Sequence, residues 1–440
     1  MFTSRKLYDL IWPLLAEQLL TVLVGMIDVL MVAQLGEAAV SGVSLADSVN
    51  HLVIMALTAL TAGGTVVTAK AIGAGDRERS SACSAQLLSS AFVLMTVISA
   101  VLIIMRVPLL RAAFGAAEES VVDNAGRYMI YTTLSFPFLA LYQGASAVFR
   151  AKGNTRLSMR VALGMNLFNI SGNALCIFVL HMGVEGVAVP TLVSRAAAAA
   201  VMISCLQRDD DVAVRSTACL RPDREILGEM LSIGVPGSIE SALFNLGKVM
   251  LQSLVSTLGT ASIAAYAVAS NLATYLYLPG NALGAAMTTV VGQCRGAGEF
   301  GQARYYVRKI IGISYMMLLV ICTVMALFRG PIVSLYSLGG EASELAMGLI
   351  LSHCIAMIIW PVAFMLPYYF RAMGRAAYTM TVSLTAMGIF RIALACLFVA
   401  YLGKGVLWVW LAMYTDWLFR SAVFIHGFRK DEKDGPLKAV

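Results

Sequence analysis

Nine ionisable side chains lie inside long apolar stretches of this 440-residue chain: Glu17, Asp28, Arg195, Glu240, Lys248, His353, Arg391, Asp416 and Arg420. In hydrocarbon, a charged side chain costs about 3 kcal/mol even on insertion scales, so each is a candidate for handling an ion or a substrate. Glu17 and Asp28 are eleven residues apart. On a helix that spacing places them on one face, about 20° apart around the axis and about 16 Å apart along it. Asn166, Asn169 and Asn173, at spacings of three and four, also share one helical face. Counted from the ends of their apolar stretches, Asp28, Asn169, Asn173 and Thr191 fall at comparable depth. One carboxylate with amide and hydroxyl oxygens suits a hard cation such as Na⁺, or a carboxyl that binds and releases a proton. The alternative is plain interhelical hydrogen bonding, with polar side chains as glue.

Glu17 and Glu240 form a second candidate set. They either attract an organic cation or hold a coupling proton, or each pairs structurally with a basic residue. Lys248, His353, Arg391 and Arg420 are the candidate charge partners. Asp416 and Arg420 have i,i+4 spacing and are expected to pair with each other. Asp209-Asp210-Asp211 lacks a second acidic cluster and reads as a solvated charge run. The chain has no Walker loop, catalytic triad, HExxH, redox or nucleic-acid motif, so neither an enzyme nor a nucleic-acid binder is expected. No cofactor is expected, and no metal beyond Na⁺ at the coupling site. The eight cysteines have no CxxC pair and read as core thiols.

The elements that must position these residues are legible in the composition. Hydrophobic residues make up 59% of the chain and charged ones 13%, about half the charge of an ordinary soluble domain. Apolar spans fall near 9–34, 48–72, 87–109, 127–149, 157–181, 184–206, 230–258, 262–292, 310–328, 346–370, 379–402 and 405–427. Spans of this length in lipid are helices. The first span is too long for the core of a removable signal peptide and is expected to stay attached. Alternate loops hold 23 of the 32 basic residues, and the opposite loops only five. The positive-inside rule then places both termini in the cytoplasm of a multi-pass cell-membrane protein.

The chain also repeats itself. At a shift of 223 residues Pro13 meets Pro236, Glu17 meets Glu240, Leu35-Gly36 meets Leu258-Gly259, and Gly73-Ala74-Gly75 meets Gly296-Ala297-Gly298. Arg150 and Gly153 meet Arg371 and Gly374 at 221. The expected architecture is all-α: a six-helix bundle over 1–206, a cytoplasmic linker over 207–229, and a second six-helix bundle over 230–440. Six helices per half make the repeats parallel, around a central cleft, as in alternating-access carriers. A monomer in a lipid bilayer is expected.

With these residues in view, the chain resembles the multidrug and toxic compound extrusion (MATE) family over nearly its whole length. The resemblance rests on Pro13 with the segment Asp28 to Gly36, on the Gly-Ala-Gly at 73–75 and 296–298, on Pro137 with 149–155, and on Asn166-x-x-Asn169-Ile170. Gly234-Val-Pro236 and Arg371-Ala-Met-Gly374 add to it. It implies an antiporter that exports small organic compounds such as drugs and toxins, often cationic, in exchange for H⁺ or Na⁺. It also implies cation binding in the N-terminal half, at the matching positions Asp28, Asn169, Asn173 and Thr191. Many members carry Asp at the position of Asn173, so this site is less acidic. Where some members use an acid in helix 7 this chain has Phe244, and its helix 10 carries only His353, so a C-terminal Na⁺ site of that kind is not expected. The rival reading is a flippase for lipid-linked precursors, from the wider superfamily.

Overall fold

The structure, a computed structural model, describes residues 2–114, 118–209, 212 and 222–434. Every regular element among them is helical. Twelve long segments correspond to the twelve predicted spans. They are α1 (Ser4–Ala33), α2 (Glu37–Gly73), α3 (Arg77–Phe114), α4 (Glu119–Leu134 continued by Phe136–Lys152), α5 (Thr155–Val179) and α6 (Glu185–Gln207) in the first half. The second half holds α7 (Arg224–Ser256), α8 (Thr260–Gly296), α9 (Phe300–Leu327), α10 (Gly340–Ala356 with Trp360–Ala372), α11 (Ala376–Tyr401) and α12 (Val406–Asp434). Seven of them are long and apolar enough to cross a membrane on length and composition alone, and the bent α10 pair makes an eighth. Of the others, α7, α8 and α12 run 33, 37 and 29 residues, beyond the ~20 a bilayer needs.

The sequence repeat reappears in the backbone. The chain turns through left-handed conformations at Gly36 (φ 95°) and Gly259 (φ 91°), at Gly75 (73°) and Gly298 (74°), and at Gly153 (93°) and Gly374 (81°). His181 (51°) and Gly403 (58°) make a fourth pair. Each pair is offset by 221 to 223 residues, so the same turn chemistry ends the same helices twice. Glycine serves because it reaches positive φ without a Cβ clash. The repeat-related acids Asp209 and Asp431 are both paired, through bases at positions the repeat does not match. Lys152 Nζ donates to both oxygens of Asp209 at 2.8 and 2.9 Å. Arg375 Nη1 donates to both oxygens of Asp431 at 2.8 Å. Asp209 is therefore paired rather than freely solvated; Asp210 and Asp211 lie outside the described residues.

The chain divides into two compact units, 2–234 and 235–440. In the first, α2 packs on α3 and α4, and α5 packs between α1 and α6. The division falls inside α7, whose opening turns belong to the first unit. There Lys70 pairs with Glu229 at 2.6 Å and Arg79 with Glu225 at 2.9 Å. A Cβ on Gly63 would overlap the Met230 carbonyl, and one on Gly234 the Ala59 carbonyl. Two glycines thus let α2 and α7 touch backbone to backbone. Residues 224–229, expected as linker, are the first turns of this helix. In the second unit α8 packs on α9 and α10, and α11 on α12.

Three irregularities shape the helices around the candidate residues. α4 breaks at Ser135, just before Pro137. α10 bends by 53° between Ala356 and Trp360, where Pro361 cannot donate a backbone hydrogen bond. α5 ends in a π-helical turn at Leu175–Val179, and α11 holds π-helical turns at Ala386–Ala393 and Leu397–Tyr401. Such wide turns free backbone carbonyls and are frequent at functional sites. Thr415 on α12 donates its hydroxyl to one of them, the Phe390 carbonyl, at 3.0 Å.

Candidate functional site

In the first unit, α1, α5 and α6 bring the four predicted cation-site residues into one hydrogen-bonded chain. The Asn173 side-chain amide donates to Asp28 Oδ1 at 2.9 Å and reaches Asn169 Oδ1 at 3.3 Å. The Asn169 amide donates to Thr191 Oγ1 at 3.0 Å, and that hydroxyl donates to the Val187 carbonyl at 2.9 Å. Asn173 is fully buried and Asn169 nearly so. One acceptor is left over: Asn173 Oδ1 is buried with no hydrogen-bond partner among the described residues. A buried polar atom without a partner costs about 1–3 kcal/mol.

Two further charges belong here. Asp47, on α2, and Arg195, one turn beyond Thr191 on α6, both act electrostatically on Asp28. Asp47 accepts from Asn50 at 3.3 Å and is bonded by Tyr128. Arg195 donates to Ser135 Oγ at 2.7 Å, at the break in α4. The group holds two carboxylates and one guanidinium, so with both acids ionised one negative charge is in excess. Sequence reasoning missed Asp47 because the second span was placed from residue 48, whereas α2 starts at Glu37. The helix-stopping Gly36 was the signal that could have found it.

Glu17 and Glu240 are both engaged, but not by the expected partners. Glu17 Oε1 lies 3.6 Å from Arg150 Nη1, and both side chains are about one-fifth to one-quarter exposed (18% and 26%). Arg150 ends α4 and was taken as a loop residue. Glu240 Oε1 accepts from Ser383 Oγ at 2.6 Å, and the same hydroxyl accepts from Arg420 Nη1 at 2.9 Å. The expected Asp416–Arg420 pair is present at 2.6 Å, fully buried, with Arg391 Nη1 3.8 Å from the other Asp416 oxygen.

No ion pair joins Lys248, His353 or Arg391 to either glutamate among the described residues; instead all three line one cavity of about 390 Å³ in the second unit. His353 is buried, and its Nε2 shares a 3.0 Å hydrogen bond with the Tyr277 hydroxyl. The Phe244 ring, at the position where an acid was considered, has Lys248 and Arg391 each 5.0 Å from its centroid. Aromatic faces attract cations, so Phe244 gathers the positive charges that an acid would have paired.

Twelve long helices in two repeated halves, with charged clusters buried inside each, define a multi-pass membrane transport protein. The MatE family profile matches the chain twice, over residues 13–175 and 236–397. The two matches begin 223 and end 222 residues apart, the offset of the internal repeat. The chain belongs to this family. It is 24% identical over 431 residues to the "Uncharacterized transporter YisQ" of Bacillus subtilis, covering 96% of this chain and 94% of that one. It is 25% identical over 429 residues to the "Probable multidrug resistance protein NorM" of Thermotoga maritima, covering 95% and 90%. In fold it matches a MATE crystal structure in the bent conformation with a TM-score of 0.90 at 20% identity, over 97% of this chain and 94% of that one.

Proposed function

We propose that the protein is a secondary antiporter that exports small organic compounds across the cell membrane in exchange for H⁺ or Na⁺. The coupling cation binds at Asp28, Asn173, Asn169 and Thr191. The observation that carries this reading is the pairing of Asp28 with Asn173, whose second oxygen is buried without a partner. The single excess negative charge of Asp28, Asp47 and Arg195 supports uptake of one cation at a time. Binding of that cation and of the organic solute would favour opposite-facing states, which is what couples the two flows. The loop charges support a chain with both termini in the cytoplasm, and the chain acts as a monomer.

The test is solute efflux from proteoliposomes under a pH gradient or a Na⁺ gradient, imposed separately. Transport should follow one of the two gradients and be lost in Asp28→Asn. Wild-type rates in that variant sink the site assignment.

The flippase reading has one observation in its favour, the two cations that line the cavity of the second unit. It predicts translocation of a lipid-linked precursor in the same vesicles without coupled solute efflux.

A further inference from the structure

The two units share a scaffold, but the charge clusters buried inside them differ in sign. Around the cavity of the second unit lie three cations, Lys248, Arg391 and Arg420, and two acids, Asp416 and Glu240. Neither acid lines the cavity, whereas Lys248 and Arg391 do. Asp416 is held at 2.6 Å by Arg420 and stands 3.8 Å from Arg391. Glu240 reaches Arg420 only through the Ser383 hydroxyl. Arg391 is buried, with its Nε unpartnered among the described residues. Lys248 makes no ion pair among the described residues, and its side chain is exposed at the cavity. One positive charge is therefore in excess, and it faces the cavity. Inside a bilayer, where the dielectric is low and counter-ions are scarce, such a field is strong.

The walls add a second requirement. Trp360 stacks on Tyr277 with centroids 5.5 Å apart and planes 12° apart, and on Phe364 at 5.2 Å and 17°. Trp360, Trp410 and Trp417 all line the cavity. A flat apolar group fits against such faces. A cationic guest fits poorly: no carboxylate among the described residues lines the cavity, and the Phe244 face is already taken by the protein's own cations. The repeat-related positions in the first half, Gly25 for Lys248 and Ile170 for Arg391, carry no charge, so this site is not part of the duplicated scaffold.

We infer that the cavity of the C-terminal half, lined by Lys248, Arg391 and a tryptophan wall, is a binding site for an amphipathic organic anion, an aromatic or flat ring bearing a carboxylate, sulfonate or phosphate. As a statement about cargo this rests on the export reading; as a binding site it stands without it.

Three of the chain's five tryptophans line the cavity, so their fluorescence reports occupancy. The probes are 4-nitrobenzoate, 4-nitrobenzamide and 4-nitrobenzylammonium, nitroaromatic quenchers of one shape and three charges. They are titrated against the full chain in phosphatidylcholine nanodiscs with no ion gradient, so a failed transport assay leaves this measurement intact. The anion should bind at least about tenfold more tightly than the amide, and the ammonium most weakly; tenfold is about 1.4 kcal/mol. Lys248→Gln should remove most of that preference, Lys248→Arg should keep it, and Lys248→Glu should reverse the order of anion and ammonium. A purely structural lysine would not invert selectivity. Equal affinities for all three probes, preference for the ammonium, or an unchanged order in Lys248→Glu overturns the proposal. Adding phosphatidylglycerol to the discs separates the sources. Displacement of 4-nitrobenzoate identifies a lipid headgroup as the anion, and undisturbed binding identifies a free solute.

Discussion

The side chain of Asn173 donates to Asp28 at 2.9 Å while its own oxygen stays buried without a partner among the described residues. The amide thus uses its donor end to hold the carboxylate and leaves an acceptor beside it. The neighbouring Asn169 closes the other side through a 3.0 Å bond to Thr191. The four side chains come from three helices and are tied into one chain by hydrogen bonds.

Asn173→Asp is therefore expected to strengthen cation binding. It would replace a donor with a second carboxylate against Asp28, and two carboxylates sharing a site cannot both stay ionised without a cation between them. The half-saturating concentration of the coupling ion in proteoliposome efflux should fall at least about tenfold, about 1.4 kcal/mol. Asn173→Ala should raise it. If both variants leave the ion dependence unchanged, Asn173 is not part of the coupling site.

Gly63→Ala and Gly234→Ala should each destabilise the first unit. In both cases the new methyl would meet a backbone carbonyl, of Met230 and of Ala59 respectively, and backbone cannot swing aside as a flexible side chain can. Overpacking of this kind costs about 1–3 kcal/mol. Gly25→Ala and Gly312→Ala are the controls, because a Cβ at either meets nothing within 4 Å. Melting of the detergent-purified protein should drop for the first pair and hold for the second. Equal melting temperatures across all four would refute the close α2–α7 approach.

Much of this arrangement was legible in the sequence, for physical reasons. Asn169 and Asn173 had to share a face because a helix repeats every 3.6 residues, and the apolar flanks set their depth beside Asp28 and Thr191. The turns at Gly36 and Gly259 were legible because the repeat carried them in register. Asp47 was hidden by its surroundings: the start of α2 is polar enough that hydropathy begins the span eleven residues late. Arg150 was hidden because a basic residue at a helix end looks the same whether it faces water or turns back to Glu17. The π-helical turns of α5 and α11 leave no mark on composition, since one extra residue per turn changes hydrogen bonding and not residue type. The Lys152–Asp209 and Arg375–Asp431 pairs link residues more than fifty positions apart, beyond any local pattern.

Asp431→Ala should cost more stability than Asp209→Ala, although the two acids are related by the repeat. The Asp431 side chain is 2% exposed and also accepts from the Tyr369 hydroxyl at 3.2 Å. The Asp209 side chain is 15% exposed, and its lysine partner 27%. Stripping the acid from a buried pair leaves an uncompensated charge and costs about 3–5 kcal/mol, whereas water can take over at a more exposed pair, worth about 1 kcal/mol or less. Thermal melting of both variants, with Asp431→Asn to keep the shape, checks the order. Equal losses would mean that burial does not decide the strength of these two pairs.

Asp416→Asn should destabilise the second unit in a way that an organic anion repairs. The carboxylate is fully buried, and it is the only acid within ion-pair distance of Arg420 and Arg391 among the described residues. Without its charge two guanidinium groups remain close together in a low dielectric, and the cost is about 3–5 kcal/mol. Removing one of the two cations should recover part of it, so Asp416→Asn combined with Arg391→Met should melt above Asp416→Asn alone. The loss of an acid beside the cavity also raises its positive excess. The melting temperature of Asp416→Asn should then rise more with 4-nitrobenzoate than that of the wild type, and neither should respond to 4-nitrobenzamide at the same concentration. A variant that melts low but is indifferent to the anion would show that Asp416 compensates charge for the fold alone and has no part in setting the field of the cavity.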